Sequence, residues 1–313
     1  MRKIAITGAT GFLGKRVVRK LRQRGYPFVP TSLRLGVDLR DYDQAAAFFQ
    51  REKPDIVLNC AAFVGGIQFG YKYPAELFEN NLLMNVNLLR AAREAGVRRI
   101  VNPISNCVYP AKAILFREAE IWDGPMHESV MVYGFVRKAF WMGAWANHQQ
   151  YGLDTVNIVL SNMYGPEDHF EEERSHALGA LIMKFVEAKR AEDPEVVVWG
   201  TGQPVREWLH VDDGAEALLR AIDIAPTTEF INVGWGYGIS ICQLAELIRD
   251  LVGYTGAIYF DTSKPDGAPY KTVDGRRGEA LLGWKPSILL QEGVAATVRW
   301  YEAHYQTSNL LLC

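Results

Sequence analysis

Hydrophobic positions along this chain switch repeatedly between short apolar runs and helical spacing, a pattern that predicts alternating strands and helices. Ile4-Ala5-Ile6 is a short strand, and Lys15 to Arg24 carries Val17, Val18 and Leu21 at the spacing of one helix face. Asp55-Ile-Val-Leu-Asn-Cys60 predicts a buried strand ending in Ala61-Ala62, and a long helix covers about Ala75 to Ala95. Arg99 to Ile104 reads as the next strand, Tyr133 to Tyr151 as a helix, and Asp154 to Leu160 as a further strand. Apolar strands separated by helices of this length predict a parallel sheet covered on both faces, the doubly wound α/β arrangement. After about residue 165 Pro, Gly and aromatics become more frequent, with shorter pieces at Glu195 to Trp199 and Ser240 to Val252.

The first strand runs into Thr7-Gly8-Ala9-Thr10-Gly11-Phe12-Leu13-Gly14 before the first helix. Strand, glycine turn and helix in that order give G-x-x-G-x-x-G a physical meaning. Gly8 permits a tight turn, Gly11 lets backbone approach a pyrophosphate, and Gly14 lets the helix pack closely. The helix N-terminus adds free N–H groups and the positive end of a dipole. Gly8, Thr10, Gly11, Phe12, Leu13 and Gly14 are thus candidate dinucleotide ligands, joined by Ala61 and Ala62 at the end of the third strand. The fold expected is Rossmann-type: a dinucleotide-binding domain over residues 1–165 and a smaller C-terminal α/β substrate lobe over 166–313. That boundary is soft, and strands and helices can cross it. The second strand, Phe28-Val-Pro-Thr-Ser-Leu-Arg34, ends without the acid that binds a ribose 2′-hydroxyl, and Arg34 stands nearby. NADP is therefore expected in preference to NAD.

Composition narrows the picture little. The 313 residues are 49% hydrophobic with a net charge of −2, which points to neither nucleic acid nor a charged tail. No apolar stretch reaches membrane-spanning length, and the N-terminus enters a strand at once, so a cytoplasmic protein is expected. Cys60, Cys107, Cys242 and Cys313 show no spacing that implies zinc or a disulfide framework.

Several segments carry candidate chemistry. Ser105-Asn-Cys107-Val-Tyr-Pro110 follows a strand end, and Tyr133-Gly-Phe-Val-Arg137-Lys138 opens a helix with Tyr133 and Arg137 on one face. Further on come Asn162-Met-Tyr-Gly-Pro, Arg174-Ser-His176-Ala, Val198-Trp199-Gly200 and Arg206-Glu-Trp-Leu. Val64-Gly65-Gly66-Ile67, Lys264-Pro-Asp266-Gly267, Val211-Asp-Asp213 and Gly283-Trp-Lys-Pro286 complete the set. Together they resemble the GDP-L-fucose synthases, a family of extended short-chain dehydrogenases/reductases that epimerise and then reduce a GDP-4-keto-6-deoxy sugar. The resemblance covers nearly the whole chain; the last two motifs are common to all extended members and carry no substrate information.

The resemblance implies that Ser105 binds the substrate carbonyl and Tyr133 donates the proton at reduction. A Lys four residues after the Tyr normally supplies the positive charge that a phenol needs to exchange protons at neutral pH. Arg137 holds that place here, with Lys138 one step round the helix; Arg keeps the charge but is planar and no proton relay. It implies that Cys107 and His176 exchange protons at the carbons flanking the ketone, work suited to a thiol and an imidazole. Asp38 and Leu39 fall in the family's segment beneath the adenine. Val64, Gly65, Asn162, Lys184, Trp199, Arg206 and Asp266 fall where the family binds its nucleotide sugar, Arg206 neutralising the diphosphate. Asn106 and Phe63 depart from the family's Ser and Lys. With Arg137 they leave open an enzyme that only epimerises or only reduces. A non-catalytic dinucleotide sensor is the alternative from another class. A homodimer is expected from helices 75–95 and 131–151, whose apolar residues exceed one core-facing stripe, as in Leu82, Leu83, Met84 and Val86.

Overall fold

In the computed structural model, which describes residues 2–171, 174–264 and 266–310 (backbone alone for 305–310), strands and helices alternate from the start. Pro265 and Cys313, both part of the sequence reading, lie outside the described residues. Strands β1 (Ile4–Thr7), β2 (Phe28–Pro30), β3 (Ile56–Asn59), β4 (Arg99–Ser105) and β5 (Asp154–Leu160) come first. Among them run α1 (Phe12–Gln23), α2 (Tyr42–Glu52), α3 (Ile67–Lys72), α4 (Pro74–Glu94) and α5 (Met131–Tyr151). Next come β6 (Asn162–Tyr164), α6 (Ala177–Ala191), β7 (Glu195–Trp199), β8 (Val205–Arg206), β9 (Trp208–His210) and α7 (Val211–Arg220). The chain ends with β10 (Phe230–Val233), β11 (Ile239–Ser240), α8 (Ile241–Val252), β12 (Ala257–Asp261), β13 (Tyr270–Lys271), α9 (Arg276–Leu282) and α10 (Leu290–Leu310).

Local chemistry fixes many of these ends. Asp41 caps α2 by accepting from the N–H groups of Asp43 and Gln44, and Pro74 opens α4 at the position where its missing donor costs nothing. Ser240 and Gln243 form a reciprocal capping box on α8, and Gly152 stops α5 in the left-handed conformation at φ 70°.

Six strands pair in the order β10-β5-β4-β3-β1-β2, all parallel, which is the doubly wound sheet expected. The order turns back between β1 and β3, the place where such sheets open a crevice at their carboxyl ends. The edge strand β10 comes from beyond residue 165 and returns to pair with β5. On one face α1 and α7 cover Ile4, Ile6, Leu58 and Ile158; on the other α2, α4 and α5 cover Ala5, Val57, Ile100 and Val159. Burying such side chains is worth roughly 1.5–3 kcal/mol each.

That second face also carries a buried polar row. The Thr7 hydroxyl donates to Asn59 Oδ1 at 2.7 Å, Asn59 Nδ2 to Asn102 Oδ1 at 2.8 Å, and Asn102 Nδ2 to Asn157 Oδ1 at 3.5 Å. Four adjacent strands are thereby linked side chain to side chain. The remainder of the chain builds a lobe in which α6, α8 and α10 pack around Leu181, Phe185, Leu244, Ile248 and Val298. A small sheet, β11-β8-β13, places Lys271 directly beside Arg206. Among the described residues no helix is long and apolar enough to cross a membrane.

Candidate active site

The turn after β1 is built for close approach. Gly8 sits at φ +62°, and a Cβ on Gly14 would lie 2.1 Å from the Gly8 carbonyl oxygen, so neither position accepts a side chain. Gly11 is the N-cap of α1, and the first helical bond runs from Lys15 N–H to the Gly11 carbonyl. The amides of Phe12, Leu13 and Gly14 thus open the helix without an intrahelical acceptor, a cradle that fits a pyrophosphate. Thr10 is engaged with Ser32, hydroxyl to hydroxyl at 3.0 Å, which ties the turn to the loop after β2. On that loop Arg34 is 
exposed and unpaired among the described residues, on the turn Leu33–Leu35. Asp38 is spent on Arg40, whose hydrogen bonds hold its carboxyl below the usual range, and Leu39 is buried behind it. Ala61 and Ala62 follow β3, where the Cys60 carbonyl backs directly onto Gly8.

At the carboxyl end of β4, the Ser105 hydroxyl accepts from the Cys107 N–H at 3.2 Å and so starts the turn Asn106–Val108. The first turn of α5 rests on that turn: a Cβ on Gly134 would meet the Cys107 carbonyl oxygen at 2.5 Å. Tyr133, next to Gly134, thus opens the helix that packs against the turn after Ser105. Arg137 Nη2 donates to the Tyr133 hydroxyl at 2.8 Å, and its guanidinium lies 4.9 Å from the ring centroid. Lys138 turns the other way. Its ammonium donates to the Ile121 carbonyl at 2.6 Å and lies over Trp122, and burial lowers its pKa. Arg137, and not Lys138, is the cation addressed to Tyr133. Arg137 is only 3% exposed, and its Nε is buried without a partner among the described residues, a donor left for a ligand.

Cys107 faces the substrate lobe. Lys271 Nζ donates to its sulfur at 3.5 Å, and Arg206, beside Lys271 on the neighbouring strand, lies close to Cys107 and Asp266. Burial lowers the Arg206 pKa to about 10. His176 is the N-cap of α6. Crowding by protein, then the positive charges of Lys271 and His169, pull its imidazole down to about 4. The residue still opens to the cleft, where water screens it. The direction is what matters: His176 is neutral at pH 7.

Other predicted residues ring this centre. Gly66 packs against the stretch leading to His176, since a Cβ there would meet the Ser175 carbonyl at 2.3 Å; Val64 and Gly65 precede it, with Gly65 against Phe69. Trp199 is 44% exposed and is flanked by Lys184 and Lys264, whose ammonium groups lie 5.8 and 5.4 Å from its ring centroid. Lys184 also donates to the Val197 carbonyl. Asp266 accepts from Thr201 N–H and hydroxyl at 2.9 and 2.6 Å, holding the loop after Trp199 toward Arg206. Asn162 commits its amide to the Glu207 carbonyl at 2.8 Å.

Two residues escaped the sequence reading. Glu207 is fully buried, and burial pushes its carboxyl up to about 7, although it accepts from the N–H groups of Val273, Gly236 and Trp235. It anchors Arg206 to the loops around it. A charged residue between Arg206 and Trp208 was the available signal. Lys271 offered none, since its partner lies 164 residues away in sequence.

A glycine turn at the switch point and a Ser–Tyr–cation group at the end of β4 define a nicotinamide-dinucleotide-dependent enzyme of the extended short-chain dehydrogenase/reductase type. The chain belongs to the NAD dependent epimerase/dehydratase family, whose sequence model matches residues 4–234, and within it to the GDP-L-fucose synthases. It is 38% identical to the probable GDP-L-fucose synthase 1 of Oryza sativa, over 96% of this chain and 92% of that protein. It is 36% identical to the GDP-L-fucose synthase of Escherichia coli, with 96% of each covered. Among solved structures it resembles a GDP-L-fucose synthetase from Naegleria fowleri bound to NADP, with a TM-score of 0.88 and 29% identity over 98% of this chain and 94% of that one.

Proposed function

We propose that this protein is an NADP-dependent enzyme that epimerises a GDP-linked 4-keto-6-deoxy sugar beside its ketone and then reduces that ketone. One observation carries the reading: Cys107, two residues from Ser105 and against the first turn of the helix that carries Tyr133, accepts from Lys271, whose charge also reaches His176. Proton exchange and ketone reduction therefore share one cleft.

In this reading Ser105 and Tyr133 bind the ketone oxygen, which acidifies the flanking carbons. Cys107 and His176 remove and return protons at those carbons, the electron pair passing to the ketone oxygen in between. Tyr133 then gives its proton to that oxygen at reduction, and Arg137 stabilises the negative charge left on the phenol oxygen. When bound, NADPH supplies the reducing equivalent. The Phe12, Leu13 and Gly14 amides hold its pyrophosphate, Arg34 its 2′-phosphate, and Arg137 Nε its ribose. Arg206 neutralises the diphosphate of the sugar nucleotide, and Trp199 offers a face to the base. The hydrogen bond from Arg137 to Tyr133 favours a retained reduction over an enzyme that only epimerises.

The unpaired thiols of Cys60, Cys107 and Cys242 fit a reducing cytoplasm. Leu83, Val86, Phe135 and Trp145 remain exposed on α4 and α5, an apolar surface that fits a second copy of the chain in a homodimer.

Solvent deuterium incorporation into the 4-keto sugar tests the assignment. Cys107→Ser or His176→Asn should slow it by about 10²-fold, the size of a general acid–base contribution. Tyr133→Phe should stop NADPH consumption and slow exchange far less, since Ser105 still binds the ketone oxygen. Exchange at the wild-type rate in both Cys107 and His176 variants would sink the epimerase half.

A further inference from the structure

We infer that Lys271 is a further working residue of this cleft: its ammonium is the charge partner of the Cys107 sulfur and orients it for proton abstraction. This rests on the proton-exchange role given above to Cys107. Lys271 is 8% exposed, and a lysine so enclosed requires a partner for its charge. Its one hydrogen-bond partner among the described residues is Cys107 Sγ, at 3.5 Å. Among the described residues no ion pair joins it to a carboxylate. Asp266 is engaged by Thr201, and Glu207 accepts from backbone N–H groups.

The strand pairing makes the contact specific. Because Lys271 and Arg206 are register partners of β13 and β8, their side chains leave the small sheet on one face. Arg206 takes the outer place toward Asp266 and Gly267, and Lys271 the inner place toward Cys107 and His176. Among the described residues the groups at the sulfur are therefore Lys271 from β13, Arg206 from β8, and Ser105, whose hydroxyl accepts from the Cys107 N–H. Tyr133 and its cation Arg137 stand on α5, which packs against the turn that holds Cys107. All the charges on that list are positive.

A cation at this distance stabilises negative charge on sulfur, and the anionic sulfur is the proton acceptor. In the step it serves, Cys107 Sγ takes a proton from the carbon beside the ketone, forming S–H as C–H breaks. The electron pair moves into the enolate, whose oxygen rests on Ser105 and Tyr133. Lys271 gains and loses nothing. It also adds positive charge near His176, which keeps the imidazole neutral, so one lysine favours the deprotonated form of both groups.

The test compares Lys271→Met and Lys271→Arg in the full-length protein, with iodoacetamide alkylation of the Cys107 peptide followed by mass spectrometry from pH 6 to 10. Alkylation needs no substrate and reads the sulfur directly. Lys271→Met should slow labelling at pH 7.5 about tenfold and move its profile to higher pH, and should slow deuterium exchange by a similar factor. Lys271→Arg should recover most of both, and NADPH affinity should stay unchanged in each, which also reports folding. If Lys271→Met labels with the wild-type profile, or if Lys271→Arg shows the same loss as Met, the lysine merely packs and the inference falls. Should Cys107→Ser itself exchange at the wild-type rate, the acid–base reading fails, while the labelling profile still decides the Lys271–sulfur pairing.

Discussion

Replacing Arg137 by Met is the perturbation that tests the reductive half most directly. The guanidinium sits 2.8 Å from the Tyr133 oxygen and is 3% exposed, so bulk water cannot take over its role. Two unit charges at that distance attract by roughly 6 kcal/mol at an effective dielectric constant of about 20. With about half a charge developed on the phenol oxygen in the transition state, the loss is ~3 kcal/mol, or about 10²-fold in kcat. Met approximates the volume of the aliphatic stem, so the change is chiefly electrostatic. The assay is NADPH consumption at saturating GDP-4-keto-6-deoxy sugar, beside deuterium exchange in the same preparation. Reduction should fall about 10²-fold while exchange stays within about threefold, since Cys107 and His176 are untouched. Arg137→Lys restores the charge on a shorter, more hydrated head and should recover to within about tenfold of wild type. A Met variant that reduces at the wild-type rate would show that Tyr133 does not depend on Arg137, and the role given to that hydrogen bond would be wrong.

Three further outcomes are expected. The imidazole of His176 titrates near 6.5 when unfolded and is pulled down to about 4 in the fold, so its stability contribution is present above pH 6.5 and lost as pH falls toward 4. His176→Asn should flatten the fall in urea midpoint between pH 7 and 4.5, and an unchanged slope would place the titration elsewhere. NADPH should bind at least tenfold tighter than NADH, ~1.4 kcal/mol, and Arg34→Ala should close most of that gap in a fluorescence titration. Val86→Asp or Trp145→Glu, on the exposed face of α4 and α5, should convert a sedimenting dimer to a monomer; a wild type that is already monomeric at micromolar concentration would rule out that face.

The parallel sheet was legible because strands buried on both faces leave unbroken apolar runs such as Ile56-Val57-Leu58, bounded by turn residues. The glycine turn was legible because steric demands at Gly8 and Gly14 act within a few residues of sequence. Helix starts were less so: α1 begins at Phe12 and not Lys15, since Gly11 caps it without any polar side chain to mark the place. Arg137 was legible as the cation on the Tyr133 face from its place four residues on, whereas the contact of Lys138 with Ile121 needed the fold. Lys271 and Glu207 stayed hidden because what makes each notable is burial, a property of strands brought together from distant parts of the chain.

The row of side chains from Thr7 through Asn59 and Asn102 to Asn157 works as a ruler for the enzyme. Thr7 immediately precedes the glycine turn, Asn59 immediately precedes the Cys60 carbonyl that backs it, and Asn102 lies three residues before Ser105. A strand that slipped by one residue would travel about 3.3 Å and turn its side chains to the opposite face, and every amide in the row would lose its neighbour. An apolar sheet would forgive such a slip more readily than one whose buried amides must be matched. The span between the phosphate cradle and the reacting hydroxyls is therefore set in whole residues, by four side chains that touch neither cofactor nor sugar.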